Sequence, residues 1–184
     1  MGGLSKSTFT VDKSGGFAVF NGTVAVVPKL KAPGFCNAET LNPFSKFADA
    51  SGKTHLWIKA RTTTPNYPGY KVSLAADTFN PQFKSFKANF DLKGNDGKTF
   101  QWVGIPFVPS FSNDWSSFTG DCDTKDPNGG KQHVCCKTGK EDVCMTEKNK
   151  KDFSQVGFWT EGHAGDFHIE IERIGAGGAT APAL

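Results

Sequence analysis

The feature that most restricts this chain is a two-residue alternation of apolar and polar side chains, confined to short segments and broken by glycine and proline. No stretch keeps a helical period for three turns, which points to an all-β fold. In the segment 55–62, Leu56, Ile58 and Ala60 fall on one face while Trp57, Lys59 and Arg61 fall on the other. In 167–174, Phe167, Ile169 and Ile171 alternate with His168, Glu170 and Glu172. Successive strand side chains point to opposite faces, so each segment offers one face to a core and one to water. Strands are predicted over 8–11, 17–27, 55–62, 70–76, 83–92, 100–105, 155–160 and 167–174. Eight short antiparallel strands with turn signals between them predict a β-sandwich. The turns are marked by Ser14-Gly15-Gly16, Pro68-Gly69, Gly94-Asn95-Asp96-Gly97 and Gly162 to Gly165. Of these, Gly94 to Gly97 is the strongest hairpin signal.

A chain of 184 residues is enough for one domain with a full core. Its 17 phenylalanines supply that core, and 21 glycines with 10 prolines supply the turns, so disorder and collagen-like structure are excluded. No apolar run approaches the roughly 18 to 20 residues that span a bilayer, the longest being interrupted by Asn21, Gly22 and Pro28. The reading is a soluble or membrane-peripheral protein. The net charge of +3 is spread along the chain, which leaves no electrostatic footprint for nucleic acid.

Four of the five cysteines, Cys122, Cys135, Cys136 and Cys144, fall within 23 residues, and Cys36 stands alone. Their spacings lack the Cys-x2-Cys knuckle with which a short turn aims two thiolates at one zinc ion, so disulfides are favoured over metal. A bond between adjacent cysteines is strained, so Cys122 is expected to join one of Cys135 and Cys136 while Cys144 joins the other. Such bonds imply maturation in an oxidising space. The cysteines lie in a segment, 120–152, with seven lysines, seven acidic residues and few apolar side chains, read as a long surface loop ordered by its crosslinks. The closing residues 176–184 have no burial potential and are read as a flexible tail.

Signals for chemistry are weak. The opening Gly2-Gly3-Leu4-Ser5-Lys6-Ser7-Thr8 fails as a phosphate loop because Ser5 stands where glycine should precede the lysine. There is no nucleophile elbow, no zincin motif and no reactive-cysteine signature. His55, His133, His163 and His168 are scattered. Glu170 and Glu172 share a strand face about 7 Å apart, a spacing that would suit a glycosidase pair, but a solvated sheet face is the preferred reading. Asp121, Asp123, Asp126, Asn128 and Gly129 offer oxygen ligands without the spacing or closing glutamate of a calcium loop. Asn21-Gly22-Thr23 is a glycosylation sequon placed inside a predicted strand. Trp57, Trp102 and Trp115 could stack on sugar rings if they shared an exposed face, although packing is the commoner fate of tryptophan. No catalytic residue, metal or cofactor is assigned.

Several fragments, in order, resemble one family. Met1-Gly2-Gly3-Leu4-Ser5 is followed by Phe20-Asn21-Gly22-Thr23-Val24, by Gly34-Phe35-Cys36 and by the strand 55–61. Later come Tyr70-Lys71-Val72-Ser73-Leu74, Phe86-Lys87-Ala88-Asn89-Phe90, Trp102-Val103-Gly104-Ile105-Pro106-Phe107 and the run from Gly165 to Ile174. The set resembles the complex I intermediate-associated protein 30 family nearly from end to end. Pro33 stands where that family has a first glycine, and the cysteine-rich segment replaces a short connection; in this respect the chain is closer in character to organellar relatives from algae. The family motif has residues before it, so Met1 is read as an internal methionine and the N-terminus as truncated, which leaves targeting undetermined.

The resemblance implies a galactose-binding-like jelly roll over 1–175 and no enzymatic activity. It implies a protein-binding role, as an assembly factor or stably bound accessory subunit of an organellar membrane electron-transfer complex, either a photosystem in a plastid or respiratory complex I. The expected partners are subunits of that complex, with the protein peripheral to the membrane. Because of the clustered cysteines the chloroplast thylakoid lumen is preferred to the mitochondrial matrix. A carbohydrate-binding module, with Trp57, Trp102 or Trp115 on its binding face, is the alternative.

Overall fold

The alternating segments sort into two antiparallel sheets whose apolar faces meet. A computed structural model describes residues 3–40, 47–76, 85–113 and 134–183. Its strands are β1 (Lys6–Asp12), β2 (Phe17–Val24), β3 (Val26–Val27), β4 (Ala32–Pro33), β5 (Phe35–Glu39), β6 (His55–Thr62), β7 (Tyr70–Ala75), β8 (Ser85–Asn89), β9 (Gln101–Pro106), β10 (Gln155–Glu161) and β11 (Gly165–Gly177). One sheet has the order β1-β2-β11-β6-β9 and the other β5-β10-β7-β8, with β3 and β4 forming a small separate ribbon. Every strand pair is antiparallel. This is the jelly-roll sandwich that the alternation and the resemblance imply.

Phe20, Ile58, Phe167 and Ile169 project from the five-stranded sheet, and Val72, Leu74, Phe86, Ala88 and Phe158 from the four-stranded one, into a common buried core. Side chains of this size each contribute roughly 1.5–3 kcal/mol when buried. A polar tie joins the two layers at one end. Tyr70 of β7 donates its hydroxyl to the carbonyl of His168 on β11, and the His168 amide donates to the Thr64 hydroxyl.

Four expectations need adjusting. The Gly94 to Gly97 stretch makes no hairpin, because β8 belongs to one sheet and β9 to the other. Its turn chemistry serves a crossing between layers, held by Asn95, whose side chain is buried and accepts from the amides of Thr62 and Gly97. The strand expected over 17–27 breaks after Val24, and β5 was not anticipated. In β5 the small Cys36 and Ala38 face inward while Phe35 is exposed, which inverts the usual hydropathy pattern. Ala176 and Gly177, expected in the tail, pair with Leu56 and His55 at the end of β11.

The fourth adjustment concerns the cysteine-rich segment, whose described second half is docked rather than merely looped out. A short helix, α1 (Phe107–Ser110), precedes it, and another, α2 (Glu147–Lys151), lies at its end. Ser112 exchanges backbone hydrogen bonds with Lys87 on the outer edge of β8 and donates its hydroxyl to the carbonyl of Val134. Cys136 is bonded to Cys144, and Cys135 is also disulfide-bonded. Cys136, Met145 and Phe153 are buried, and the Lys150 ammonium, buried too, donates to the Lys53 carbonyl. Thr146 and Asn149 cap α2 reciprocally, which fixes where the segment turns back toward β10.

Candidate functional site

The outer face of the five-stranded sheet collects most of the residues that the sequence marks for function. Register sets Trp57 opposite Gly104 and Lys59 opposite Trp102, so the two tryptophans are diagonal neighbours on adjacent strands. Register also sets Glu170 opposite Arg61, and bonds hold the charges in pairs. The Arg61 guanidinium binds the Glu170 carboxylate and donates to the Lys98 carbonyl. It also lies over the Phe100 ring at 4.4 Å and the Phe17 ring at 5.2 Å. Lys59 pairs with Glu172 at 3.0 Å, and the His168 ring lies 3.2 Å from Glu170. The two glutamates thus serve as counter-ions in a ladder of alternating charge. Neither stands across a cleft from the other.

Trp57 is not a stacking platform. It is buried on this outer face, walled by Gly104 and by the end of β11, and its indole N–H donates to the Gly178 carbonyl at 3.0 Å. A Cβ at position 104 would come within 2.6 Å of its ring, so the slot depends on that glycine. Trp102 is half-buried, and its indole nitrogen has no hydrogen-bond partner among the described residues. That nitrogen is itself shielded from solvent, so the N–H is a buried unsatisfied donor rather than one offered to a partner at the surface. Trp115 lies outside the described residues, as do Cys122, His133 and the oxygen-rich stretch 121–129.

The outer face of the four-stranded sheet holds a second constellation that sequence reasoning missed. Trp159, the fourth tryptophan, stacks obliquely on Phe35 with ring centroids 5.6 Å apart and donates its N–H to the Ser73 hydroxyl. The Lys87 ammonium sits 3.6 Å from the Trp159 ring centroid and bonds both oxygens of Glu161. Lys71 donates to Asn89, and both lysines are buried. The signal in the sequence was the alternation of Lys71 with Val72 and of Lys87 with Ala88, which places both lysines on the same face as Trp159. A cation over an aromatic face gains about 0.5–2 kcal/mol depending on desolvation, enough to help hold a buried lysine.

Among the described residues, no group of three or more His, Cys, Asp or Glu side chains is arranged to hold a metal ion. Cys36 is a free, buried thiol, and burial pushes its ionisation above the ordinary range. Burial likewise pushes Tyr67 upward, with its hydroxyl donating to the His163 carbonyl. Both are therefore neutral near pH 7. Asn21 of the sequon sits on β2, an interior strand, and accepts from the Thr8 hydroxyl. No helix among the described residues is long and apolar enough to cross a membrane.

Residues 1–126, which carry every strand from β1 to β9, match the sequence profile of the complex I intermediate-associated protein 30 family. The chain belongs to that family. Membership in the complex I intermediate-associated protein 30 family rests on the strands that build the ion-pair ladder from one side. The partner strands β10 and β11 lie beyond the matched residues. No curated protein sequence is significantly similar to the chain. Among solved structures, the agarase AgWH50C superposes with a TM-score of 0.53 at 10% identity, over 95% of this chain and 22% of the agarase. The chain therefore spans about a fifth of that enzyme, and the likeness is one of fold. The family 11 carbohydrate-binding module of the cellulase Lic26A-Cel5E of Clostridium thermocellum gives a TM-score of 0.46 at 11% identity, over 93% of this chain and 82% of the module.

Proposed function

We propose that this protein is a non-catalytic protein-binding module, an assembly factor or stably bound accessory subunit of an organellar membrane electron-transfer complex. The observation that carries the reading is membership of the complex I intermediate-associated protein 30 family through residues 1–126. The outer face of the five-stranded sheet is consistent with docking: Glu170 and Glu172 are both committed to ion pairs on an open sheet. The partners are subunits of respiratory complex I or of a photosystem, with the protein peripheral to the membrane. The family's description favours complex I. The disulfide chemistry of Cys135, Cys136 and Cys144 favours an oxidising space such as the thylakoid lumen over the mitochondrial matrix.

Trp102, an aromatic ring left partly exposed on that face, serves as an anchor in this reading. The test is native electrophoresis of organelle membranes from cells carrying the tagged protein, followed by mass spectrometry of the co-migrating band. Co-migration with a subcomplex of an electron-transfer complex is expected. Trp102→Ala is expected to weaken it at least tenfold while leaving the fold's circular dichroism intact. A tagged protein that runs only as a free species would end the proposal.

A carbohydrate-binding role has one observation in its favour, the Phe35 and Trp159 pair, in which Phe35 is exposed and Trp159 partly so. Its check is a glycan array with the wild-type protein and Trp159→Ala. Binding that disappears in the variant would support it, and silence of the wild type would remove it.

A further inference from the structure

We propose that the chain forms a weak two-fold dimer by pairing β1 with β1 of a second copy, so that the two five-stranded sheets become one. Independently of the family reading, β1 is an edge strand among the described residues, with every residue from Lys6 to Val11 exposed. It is seven residues long, has no proline and no irregularity in its register with β2, and carries no charge on its inward-facing side. Edges are ordinarily blunted by one of those devices, because unpaired backbone groups template another strand. The outer edge of β8 is covered by its bridge to Ser112, and β9 ends in Pro106. The inward-facing side of β1 also leaves Phe9 48% and Val11 63% exposed.

The occupant is a second copy because the strand is complementary to itself. A two-fold axis requires that if residue i meets j, then j meets i. Antiparallel pairing centred on Phe9 sets Lys6 opposite Asp12, Ser7 opposite Val11 and Thr8 opposite Thr10, and sets Phe9 opposite its own counterpart. Both ends of the ladder thus carry an opposite-charge pair, the outer face gains two threonine pairs, and the two exposed phenylalanines cover each other. Asp12 spends its Oδ1 on Ser14 and Gly15 of the adjoining turn, which leaves Oδ2 to meet the lysine. The strand is only about 24 Å long, so the joint buries less than the roughly 1,200 Å² of a standard interface. The dimer is accordingly expected to be weak and transient.

Sedimentation velocity of the full chain across a micromolar concentration series tests this. The wild type is expected to shift from monomer to dimer, and Lys6→Asp, which faces Asp12 with a like charge at both ends, is expected to weaken the dimer about tenfold. Lys6 is exposed, so this variant should keep the wild-type melting curve. Register is read from two further variants under mild oxidation, with the crosslinked peptide identified by mass spectrometry. Phe9→Cys is expected to give a disulfide-linked dimer. Val11→Cys is not, because four positions along the strand, about 13 Å, separate it from its counterpart. A wild type that stays monomeric, a dimer indifferent to Lys6→Asp, or equal crosslinking by both cysteine variants would each overturn the proposal.

Discussion

Asn95 shows how a single side chain can decide the route of the backbone. Its carbonyl oxygen accepts from the amides of Thr62 and Gly97, and its amide donates to the Thr99 carbonyl, all at 3.0 Å from a buried side chain. Asn95→Ala would leave the Thr62 amide, at the end of β6, buried without an acceptor. The expected cost is about 1–3 kcal/mol, read as a lower urea midpoint with an unchanged slope. The same residue explains the misread hairpin. Gly94-Asn95-Asp96-Gly97 carries turn residues with left-handed glycines at both ends, Gly94 at φ 75° and Gly97 at φ 70°. Such residues announce that the chain reverses, and say nothing about which sheet the next strand joins.

At the scale of elements, strands with large inward side chains were legible and those with small ones were not. His55–Thr62 emerges with the boundaries that alternation gave it, because Leu56, Ile58 and Ala60 face the core without a break. β5 escaped notice because the small Cys36 and Ala38 suffice on its core-facing side, and its one large side chain points outward. The end of β11 was hidden for a related reason. Its glycines carry no hydropathy signal, yet their lack of side chains lets the backbone lie against Trp57, where a Cβ at Gly177 would sit 3.2 Å from the indole. Ending the chain after Ala176 removes the acceptor for the Thr54 amide and the acceptor for the Trp57 indole. A red shift in tryptophan emission is expected, together with a loss of about 1–3 kcal/mol in stability. In a Trp57→Phe background the same truncation should leave the emission where it was, which separates this contact from a general loosening.

For the whole molecule, alternation was enough to give two layers and their shared core, since it states which side chains face inward. It could not state which strands are neighbours. Trp57 was therefore read on the face opposite Leu56, Ile58 and Ala60 while the slot that buries it was not, and the Trp159, Lys87 and Glu161 group went unseen because β10 and β8 assemble it across β7. Connections within and between the layers share one chemistry: carboxylates that accept from the hydroxyls or amides of turns. Asp12 is held below its ordinary range by the hydroxyl of Ser14 and then the amide of Gly15, and Asp49 by the hydroxyl and amide of Ser51. Asp96 is held down by the amides of Thr99 and Lys98, Glu141 by that of Gly139, and Glu147 by that of Gly52 and then by Lys150. Each is lower in the folded chain than its ordinary value, 3.8 for the aspartates and 4.5 for the glutamates, so the folded state binds fewer protons through that range. Their contribution to stability is complete above those ordinary values and disappears as the pH falls through the lower, folded ones. The urea midpoint is thus expected to be level from neutrality to about pH 5 and to decline below it. All five carboxylates lie in solvent, so the decline should be shallow. Asp96→Asn should flatten part of it, since an amide oxygen can still accept from Thr99 and Lys98 but does not titrate. A decline beginning near pH 6 to 7, or an unaltered profile in Asp96→Asn, would assign the acid sensitivity to groups other than these turns.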